Sequence, residues 1–444
     1  MIHKRSLLFH IFLTVCLCGF LLSCEKEYNS IYDQSPDERL RKTLDAYNDL
    51  LLSAPYGWKG TLKTKLGPVF FYYFDFHNEG KVTMLADFNQ TTAGTAKEGT
   101  WVIKALQRPT LSFDTYSYIH LPADPNGNVN GGENGSGLLS DFQFAIASTA
   151  GDSIVLEGIQ NKSSITLTKV TQPEVTQLTS GQMKNMLQYV ASHKGLRLTL
   201  PDKTTIPLAI STLTKTIASQ YLSADESEIE EFTTPFTFSP SGITLTTAFT
   251  IAGASFKELH WDVDKQEFYV DATRRIINDN SLFILTPSIP LSSTLGSKYA
   301  FLQVPENTDF YPLLGQSNEF LSLYSQARES MLAGDYKLTL KQMDFVFKPS
   351  THTLLIDVYV TQNGNLFLGQ YMYTYELNEA GIFKFTFNQA NDVAWAIQGD
   401  LSGLLSYIDN DTFTVKYIGG AHQLLGGMFS QENTNFSFSG YLGN

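Results

Sequence analysis

The sequence predicts a mainly β protein with a few helices, an α+β fold of two or three tandem antiparallel modules. Each module is expected to be sandwich- or barrel-like and to be preceded by a helix. The length of 444 residues suggests two or three globular units at about 150 residues per domain. Charged residues make up only 17% of the chain and aromatic residues reach 13%, a composition that favours neutral sheet surfaces. Short apolar runs alternate with Gly, Asn and Asp, as in strands joined by turns.

Residues 1–23 are predicted to be a lipoprotein signal peptide. A basic start is followed by an apolar run at residues 7–22, shorter than the roughly 20 residues that a membrane-spanning helix needs. The sequence Leu21-Leu22-Ser23-Cys24 resembles the lipobox of bacterial lipoproteins, in which the cysteine becomes the mature N-terminus and carries acyl chains. Cys24 is therefore the predicted lipidation site, and an ordinary signal peptide is the alternative. Residues 24–34 are polar and are interpreted as a tether.

Cysteine usage and net charge exclude several kinds of chemistry. All three cysteines, Cys16, Cys18 and Cys24, lie in the leader, so the predicted mature chain has one thiol, bound to lipid. Disulfide bonds, cysteine metal sites and a cysteine nucleophile are excluded on this interpretation. The chain has 44 acidic against 31 basic residues, a net charge of -13, which argues against nucleic acid as a partner.

The first module, residues 35–172, is predicted to begin with a helix. Ser35 can cap this helix, Pro36 fits its first turn, and Glu38 completes a capping box. Apolar residues then recur at helical spacing through about residue 53. Strand-like runs follow, and the aromatic one at residues 69–74 alternates between two faces, one of which could be exposed. These runs lie at residues 69–74, 81–84, 100–103, 110–113, 142–147, 153–159 and 164–169.

Two further modules are predicted at residues 173–310 and 311–444. Helices are expected at about residues 180–193 and 317–332, each ended by a glycine. A recurring pattern supports this division: an aromatic strand, a turn with glycine and a new strand, around Gly80, Gly242 and Gly381.

The strongest hairpin signal of the chain is Asn363-Gly364. This dipeptide separates two apolar runs at residues 354–361 and 365–375. Asn-Gly adopts the positive φ angles of a two-residue hairpin turn, so the two runs are expected to pair as antiparallel strands.

Several phrases of the sequence together resemble a known family. They are SPDERL at 35–40, APYGW at 54–58, LSFDTYSYIH at 111–120 and GLLSDFQF at 137–144. The chain is similar to the Bacteroidetes outer-membrane lipoproteins grouped as domain of unknown function 4302. This resemblance implies a lipid-anchored protein of the outer membrane, encoded beside TonB-dependent uptake proteins, and it implies no catalytic residue. The acidic tract that marks surface export is only partly present after Cys24, so either the surface or the periplasmic face is open.

No familiar catalytic motif occurs in the sequence. A zinc peptidase motif, a P-loop and the Gly-x-Ser-x-Gly turn of serine hydrolases are all absent. Glycosidases need only two carboxylates at a fixed separation, so 44 acidic residues leave that activity open.

One polar loop has half of the pattern of a calcium site. Asp124, Asn126, Asn128 and Asn130 place oxygen-bearing side chains at alternate positions, as calcium loops do. Counted from Asn126, the twelfth position of such a loop is Gly137, which lacks the carboxylate that supplies much of the calcium affinity. A Gly/Asn turn is the favoured interpretation, and no other cofactor is expected.

Trp261, with its neighbours His260 and Asp262, is the candidate ligand-binding position. An exposed indole stacks on sugars or planar ligands, whereas a buried one fills a core.

The sequence therefore predicts a lipid-anchored envelope protein that is a binding or accessory subunit of an outer-membrane nutrient-uptake system. A small molecule or a glycan would be its ligand, and an enzymatic role is disfavoured. Two alternatives stay open: a lipid-anchored hydrolase acting on glycan or peptide, and a purely structural envelope protein.

Overall fold

The computed structural model describes residues 34–444, and the mainly β, α+β architecture predicted from the sequence is confirmed. Groups of strands follow one another along the chain, and helices pack on them. The predicted signal peptide, the lipidation site Cys24 and the tether as far as residue 33 lie outside the described residues. Within residues 34–444, no helix is both long and apolar enough to cross a membrane.

Helix α1, Pro36–Leu52, begins where the sequence predicts it. The Ser35 hydroxyl accepts a hydrogen bond from the Glu38 amide, and the Glu38 carboxylate accepts one from the Ser35 amide. The predicted capping box is therefore confirmed, and it provides acceptors for two backbone N–H groups at the start of the helix. The side chains of Tyr47 and Leu51 pack against the core of the strands that follow.

The N-terminal module is a closed barrel of eight antiparallel strands, in which each strand pairs with the next and β8 pairs with β1. Closure leaves the barrel without free sheet edges. Two short helices, α2 Gln90–Gly94 and α3 Gly127–Asn130, lie in its connections. The strands are β1 Trp58–Lys63, β2 Val69–His77, β3 Lys81–Ala86, β4 Lys97–Ala105, β5 Pro109–Phe113, β6 Gln143–Ala150, β7 Ser153–Gly158 and β8 Ser164–Lys169.

Both faces of strand β2 are buried, although the sequence pattern allowed one face to be exposed to solvent. Phe70, Tyr72 and Phe74 point into the barrel core, as the period of two along a strand requires. Phe71 and Tyr73 point outward, and they pack into the core of the middle module. The barrel therefore does not stand alone, because its outer aromatic face is covered by the next module.

The middle module contains α4 Gln172–Thr179, α5 Gln182–Ser192 and two antiparallel sheets. Helix α5 confirms the helix predicted at residues 180–193. The sheets have the strand orders β10-β9-β17 and β11-β12-β13-β14-β15-β16. The strands are β9 Leu196–Thr199, β10 Thr205–Pro207, β11 Ala209–Ser211, β12 Thr216–Leu222, β13 Ile229–Ser239, β14 Gly242–Ile251, β15 Ala254–Asp262, β16 Glu267–Tyr269 and β17 Ile276–Asn278.

The C-terminal module is a second ring of eight antiparallel strands, because β19 to β26 pair in succession and β26 pairs with β19. A ninth strand, β18, pairs with β24. The helices are α6 Leu291–Thr294, α7 Asn318–Ala333 and α8 Asp392–Asn410. The strands are β18 Phe283–Leu285, β19 Phe301–Val304, β20 Thr339–Lys348, β21 Thr353–Gln362, β22 Asn365–Leu377, β23 Ile382–Ala390, β24 Thr412–Gly419, β25 Leu425–Ser430 and β26 Ser437–Gly443.

Strand β18 pairs with β24, and β19 pairs with β20. Both lie before residue 310, so the C-terminal sheet includes residues on both sides of the boundary expected there. Helix α7 confirms the helix predicted at residues 317–332, but it lies between β19 and β20 and does not precede the module. Both strands are short, and β18 pairs with residues 417–419, far away in the chain. Such distant pairing leaves no local signal in the sequence.

Helices α7 and α8 each pack against the strands of the ring through one buried face. Phe320 and Tyr324 of α7, and Leu401 and Leu405 of α8, belong to one apolar core with the inward side chains of the strands.

Candidate functional site

A cleft of about 570 Å³ opens in the middle module, and the predicted position Trp261 lines it. We call it the Trp261 pocket. Its walls are helix α5, the turn between β15 and β16, and strand β17. These three segments are distant in the chain and meet because β15 and β16 pair and α5 packs on the buried face of their sheet.

Trp261 is held in the wall by several contacts. Its indole Nε1 donates a hydrogen bond to Gln182 Oε1 at 3.0 Å. The indole ring packs edge-on against Phe268, with 4.7 Å between centroids, and against Tyr189 at 5.6 Å. The residue is 6% exposed, so the indole is mainly part of the core and meets the pocket with a small part of its surface.

The structure does not bring the neighbours of Trp261 into the same site. Side chains alternate along β15, so Trp261 faces the core while His260 and Asp262 face the other side of the sheet. Asp262 forms an ion pair with Arg275 at 3.0 Å. The backbone amide of Lys265 donates to Asp262, and together these contacts hold the pKa of that carboxyl below its usual range.

Tyr189 and His193 of helix α5 form the second wall. Their rings lie 4.2 Å apart, and His193 Nδ1 lies 2.8 Å from the Tyr189 carbonyl oxygen. Burial raises the pKa of Tyr189, so its hydroxyl stays protonated at neutral pH. Tyr189 and Trp261 thus present two rigid aromatic edges to the pocket.

The rim of the pocket carries mostly amide side chains, which can both donate and accept hydrogen bonds. Four amide side chains come from α5, the β15–β16 turn and β17. Two side chains of opposite charge complete the rim. The amides are Asn185, Gln188, Gln266 and Asn278, and the charged residues are Lys265 and Glu267. This arrangement suits an uncharged polar ligand with one apolar face.

Sequence reasoning singled out Trp261, which lines the pocket, but not the residues opposite it. The α5 side chains lie some seventy positions before Trp261 and sit at i, i+3, i+4 and i+7 of one helix face, which reads as an ordinary exposed helix. Only the combination of amides and aromatic residues on that face, at 185–193, could have suggested a site.

The side chains of the predicted calcium loop are engaged in hydrogen bonds within the loop. Asp124 accepts from the Asn126 amide at 2.9 Å, and Asn126 accepts from the Asn128 amide at 3.0 Å. Asn130 is buried, donates to the carbonyl oxygens of Leu121 and Asp124, and accepts from the backbone amide of residue 132. These oxygens cap α3 and close its turns, as Asn and Asp side chains commonly do.

Across the described part of the chain, no three His, Cys, Asp or Glu side chains lie close enough to hold a metal ion.

A comparison with known families finds one match. The family model described as Domain of unknown function (DUF4302) matches residues 28–263. No curated protein and no solved structure matches the chain. The matched region includes the N-terminal barrel and the middle module as far as the end of β15, with Trp261 near its limit. Because the match covers more than half of the chain, the protein belongs to this family, a domain of unknown function (DUF4302), as its sequence phrases indicate.

Proposed function

We propose that the protein is a lipid-anchored binding protein of the cell envelope, which takes up an uncharged polar ligand in the Trp261 pocket. The ligand would be a small glycan or a molecule of similar polarity. The protein would act as an accessory subunit of an outer-membrane uptake system of the TonB-dependent kind. The observation that carries this proposal is the pocket itself, with aromatic walls and an amide-rich rim.

The chemistry of the pocket supports binding of a neutral ligand. The edges of Tyr189 and Trp261 offer apolar contact, and the amides around them offer hydrogen bonds to hydroxyl or carbonyl groups. Lys265 and Glu267 carry opposite charges, so the rim has no net charge that would select a charged ligand. The side-chain amide of Gln188 is exposed and has no hydrogen-bond partner among residues 34–444.

The pocket favours binding over hydrolysis. A glycosidase of the common type needs two carboxyl groups about 5 to 10 Å apart across the scissile bond. Among the described residues that line this pocket, Glu267 is the single carboxylate, and it is paired with Arg275. A paired carboxylate is stabilised in its charged form and is a poor general acid.

The lipid anchor is proposed from the sequence of the leader. A basic start, an apolar run and the sequence that ends in Cys24 together have the layout of a lipoprotein signal. Attached acyl chains would hold the protein at the membrane surface, where a binding pocket would concentrate its ligand next to an uptake channel. The outer membrane is the proposed location, and the protein would face either the surface or the periplasm.

Thermal unfolding of the soluble chain from residue 25 onward tests the binding proposal. The midpoint is measured with maltotriose, cellotriose, xylotriose and trialanine, because a ligand that binds only the native state raises it. We expect a rise with at least one trisaccharide. In Gln188→Ala the affinity should fall about fivefold, the effect of about one lost hydrogen bond.

The matched control is Gln177→Ala, which removes an exposed glutamine from helix α4, outside the pocket. This variant should keep the wild-type shift. No shift with any of the four compounds, or an equal effect of the two glutamine substitutions, would contradict the proposal.

A further inference from the structure

A second cleft, of about 670 Å³, lies in the C-terminal module between helix α8 and the strands β22 and β23. We call it the α8 cleft. It exists because the ring is incomplete on one side: β23 pairs with β24 only through residues 382–384, opposite residues 412–414. Beyond that point β23 continues to Ala390 beside α8, and the space between them stays open.

A glycine in α8 lines this cleft. Glycine in the middle of a helix destabilises it relative to alanine, so it calls for a reason. Gly403 has one, because a Cβ atom there would lie 2.8 Å from Leu323 of α7. Gly399 has no such reason within the fold, since its Cβ would meet nothing within 4 Å. Gly399 lines the cleft, where the missing side chain leaves room.

The wall formed by β23 is aromatic and partly exposed. Phe387 of this wall is 38% exposed, and Trp395 of α8, which contacts Phe387 just outside the lining of the cleft, is 50% exposed. Their ring centroids are 5.8 Å apart at an angle of 78°, so the two rings stand at right angles in the edge-to-face arrangement. Tyr373 packs on the other side of Phe387 at 5.5 Å, so that ring is held firmly in place.

Polar groups also line the cleft. The Tyr373 hydroxyl donates a hydrogen bond to Asp409 Oδ1 at 3.0 Å, and burial raises the pKa of Tyr373, so that the donor keeps its proton. The second oxygen of Asp409 has no partner among the described residues. Gln398 and Lys384 line the same cleft, and the charge of Lys384 offsets that of Asp409.

We propose that the α8 cleft is a second ligand site, which binds a neutral oligosaccharide. The apolar faces of sugar rings stack on Phe387 and Trp395, and sugar hydroxyls donate to the free oxygen of Asp409 and bond to Gln398. The opposite charges in the cleft favour an uncharged ligand. This site is separate from the Trp261 pocket and lies outside residues 28–263, the region that matches the family.

Calorimetric titration of the soluble chain with maltohexaose, cellohexaose, mannohexaose and xylohexaose tests this site. We expect one or more hexasaccharides to bind, and the dissociation constant to rise at least tenfold in Trp395→Ala. In Gly399→Gln binding should be lost, because the new side chain enters the cleft. This substitution should not lower the thermal unfolding midpoint, since no atom outside the adjacent residues and the local helix backbone lies within 4 Å of the new Cβ.

Two variants separate this site from other effects. Tyr336→Ala removes an exposed aromatic residue of the same module that does not line the cleft, and it should bind as the wild type does. Gln188→Ala, which tests the Trp261 pocket, should also leave hexasaccharide binding at the α8 cleft unchanged. The inference is wrong if no hexasaccharide binds, or if Trp395→Ala and Gly399→Gln bind as tightly as the wild type.

Discussion

A buried ion pair joins the N-terminal barrel to the middle module. Asp87 and Lys215 are both fully buried, and Lys215 Nζ lies 2.9 Å from Asp87 Oδ2. The carboxylate also accepts hydrogen bonds from the backbone amides of Phe71 in β2 and Phe238 in β13. One carboxylate thus binds a strand from each module, and the lysine balances its charge in an apolar environment.

Lys215→Met should lower the free energy of unfolding by about 3 kcal/mol or more, because the Asp87 carboxylate would stay buried without a balancing positive charge. Urea unfolding measures the change. Lys203→Met is the matched control, since Lys203 is exposed and has a positive φ of 71°, comparable with 54° at Lys215. The control should change by less than about 0.5 kcal/mol. Equal losses in the two variants would contradict the role of the ion pair.

Two aspartates lie directly opposite each other on the outer face of the C-terminal ring. Asp344 of β20 pairs with Asp357 of β21 in the strand register. Gln342 donates to Asp344 and Gln370 donates to Asp357. Burial raises the pKa of both carboxyls, and the charge of Asp357 raises that of Asp344 further. Like charges that face each other across two strands are destabilising.

The pH dependence of stability follows from these raised pKa values. The two carboxyls hold their protons more tightly in the folded than in the unfolded state. The stability that this proton binding contributes is fully present below about pH 3.9, the ordinary aspartate pKa. It is lost as the pH rises through the raised pKa values of the folded state. Asp357→Asn should therefore be more stable than wild type at pH 7, by up to about 1 kcal/mol. At pH 3 this gain should vanish.

Urea unfolding at both pH values measures this difference. The control is Asp335→Asn, at an exposed aspartate away from the pair, which should show no comparable gain at pH 7. An Asp357→Asn variant less stable than wild type at pH 7 would show that the two charges do not oppose each other.

Among the elements, the hairpin at Asn363-Gly364 shows how a local signal sets a turn. The two residues have φ values of 50° and 81°, and they connect β21 to β22 with Gln362 opposite Asn365. Both angles lie in the left-handed region, which asparagine and glycine adopt with the least strain. The predicted hairpin is therefore confirmed, and its register follows from the two-residue turn.

Gly364→Ala should lower the free energy of unfolding by about 1 to 2 kcal/mol, the strain of a left-handed alanine. A Cβ at this position would meet nothing within 4 Å, so no steric clash adds to the loss. Asn363→Gly keeps the turn accessible and is the control, with a change below about 1 kcal/mol. A Gly364→Ala variant as stable as wild type would mean that the turn has another conformation.

The elements that the sequence predicted share one property: their signals are local. The capping box of α1, the glycine at the C-cap of α7 and the hairpin turn involve residues a few positions apart. At α5 the predicted glycine cap was wrong, because the helix ends at Ser192 with His193 as its C-cap. Helix α8 was missed, because Gly399 and Gly403 weaken its helical pattern. Gly403 is explained by its close packing on α7, and Gly399 lines the α8 cleft, neither of which the local sequence shows. The pairing of β18 with β24 was missed for the same physical reason, since its partner is far away in the chain.

The candidate site shows the same limit. Trp261 was found because tryptophan is rare and distinctive, but strand alternation separates it from His260 and Asp262. The residues that do face it come from α5 and β17, whose proximity depends on tertiary packing.

The whole molecule has two clefts, in the middle and the C-terminal modules, and we propose that a lipid at Cys24 anchors it to a membrane. The N-terminal barrel and the middle module share a buried core and an ion pair, so they are expected to unfold together. The C-terminal ring has a core of its own, to which α7 and α8 contribute buried side chains.

Cys24→Ala should release the protein from the membrane fraction, because the acyl chains would have no attachment point. Immunoblots of membrane and soluble fractions measure the distribution, and Cys18→Ala, within the predicted signal peptide, is the control that should stay bound to membrane. Membrane association of Cys24→Ala equal to that of the control would contradict the proposed anchor.

The most direct measurement for the proposed binding function is hydrogen–deuterium exchange of the soluble protein, with and without a saturating concentration of each of the three trisaccharides. If the Trp261 pocket binds a glycan, at least one trisaccharide should slow exchange in residues 182–193 and 261–278, the segments that form the pocket. Unchanged exchange in both segments with every trisaccharide would contradict the proposed binding function.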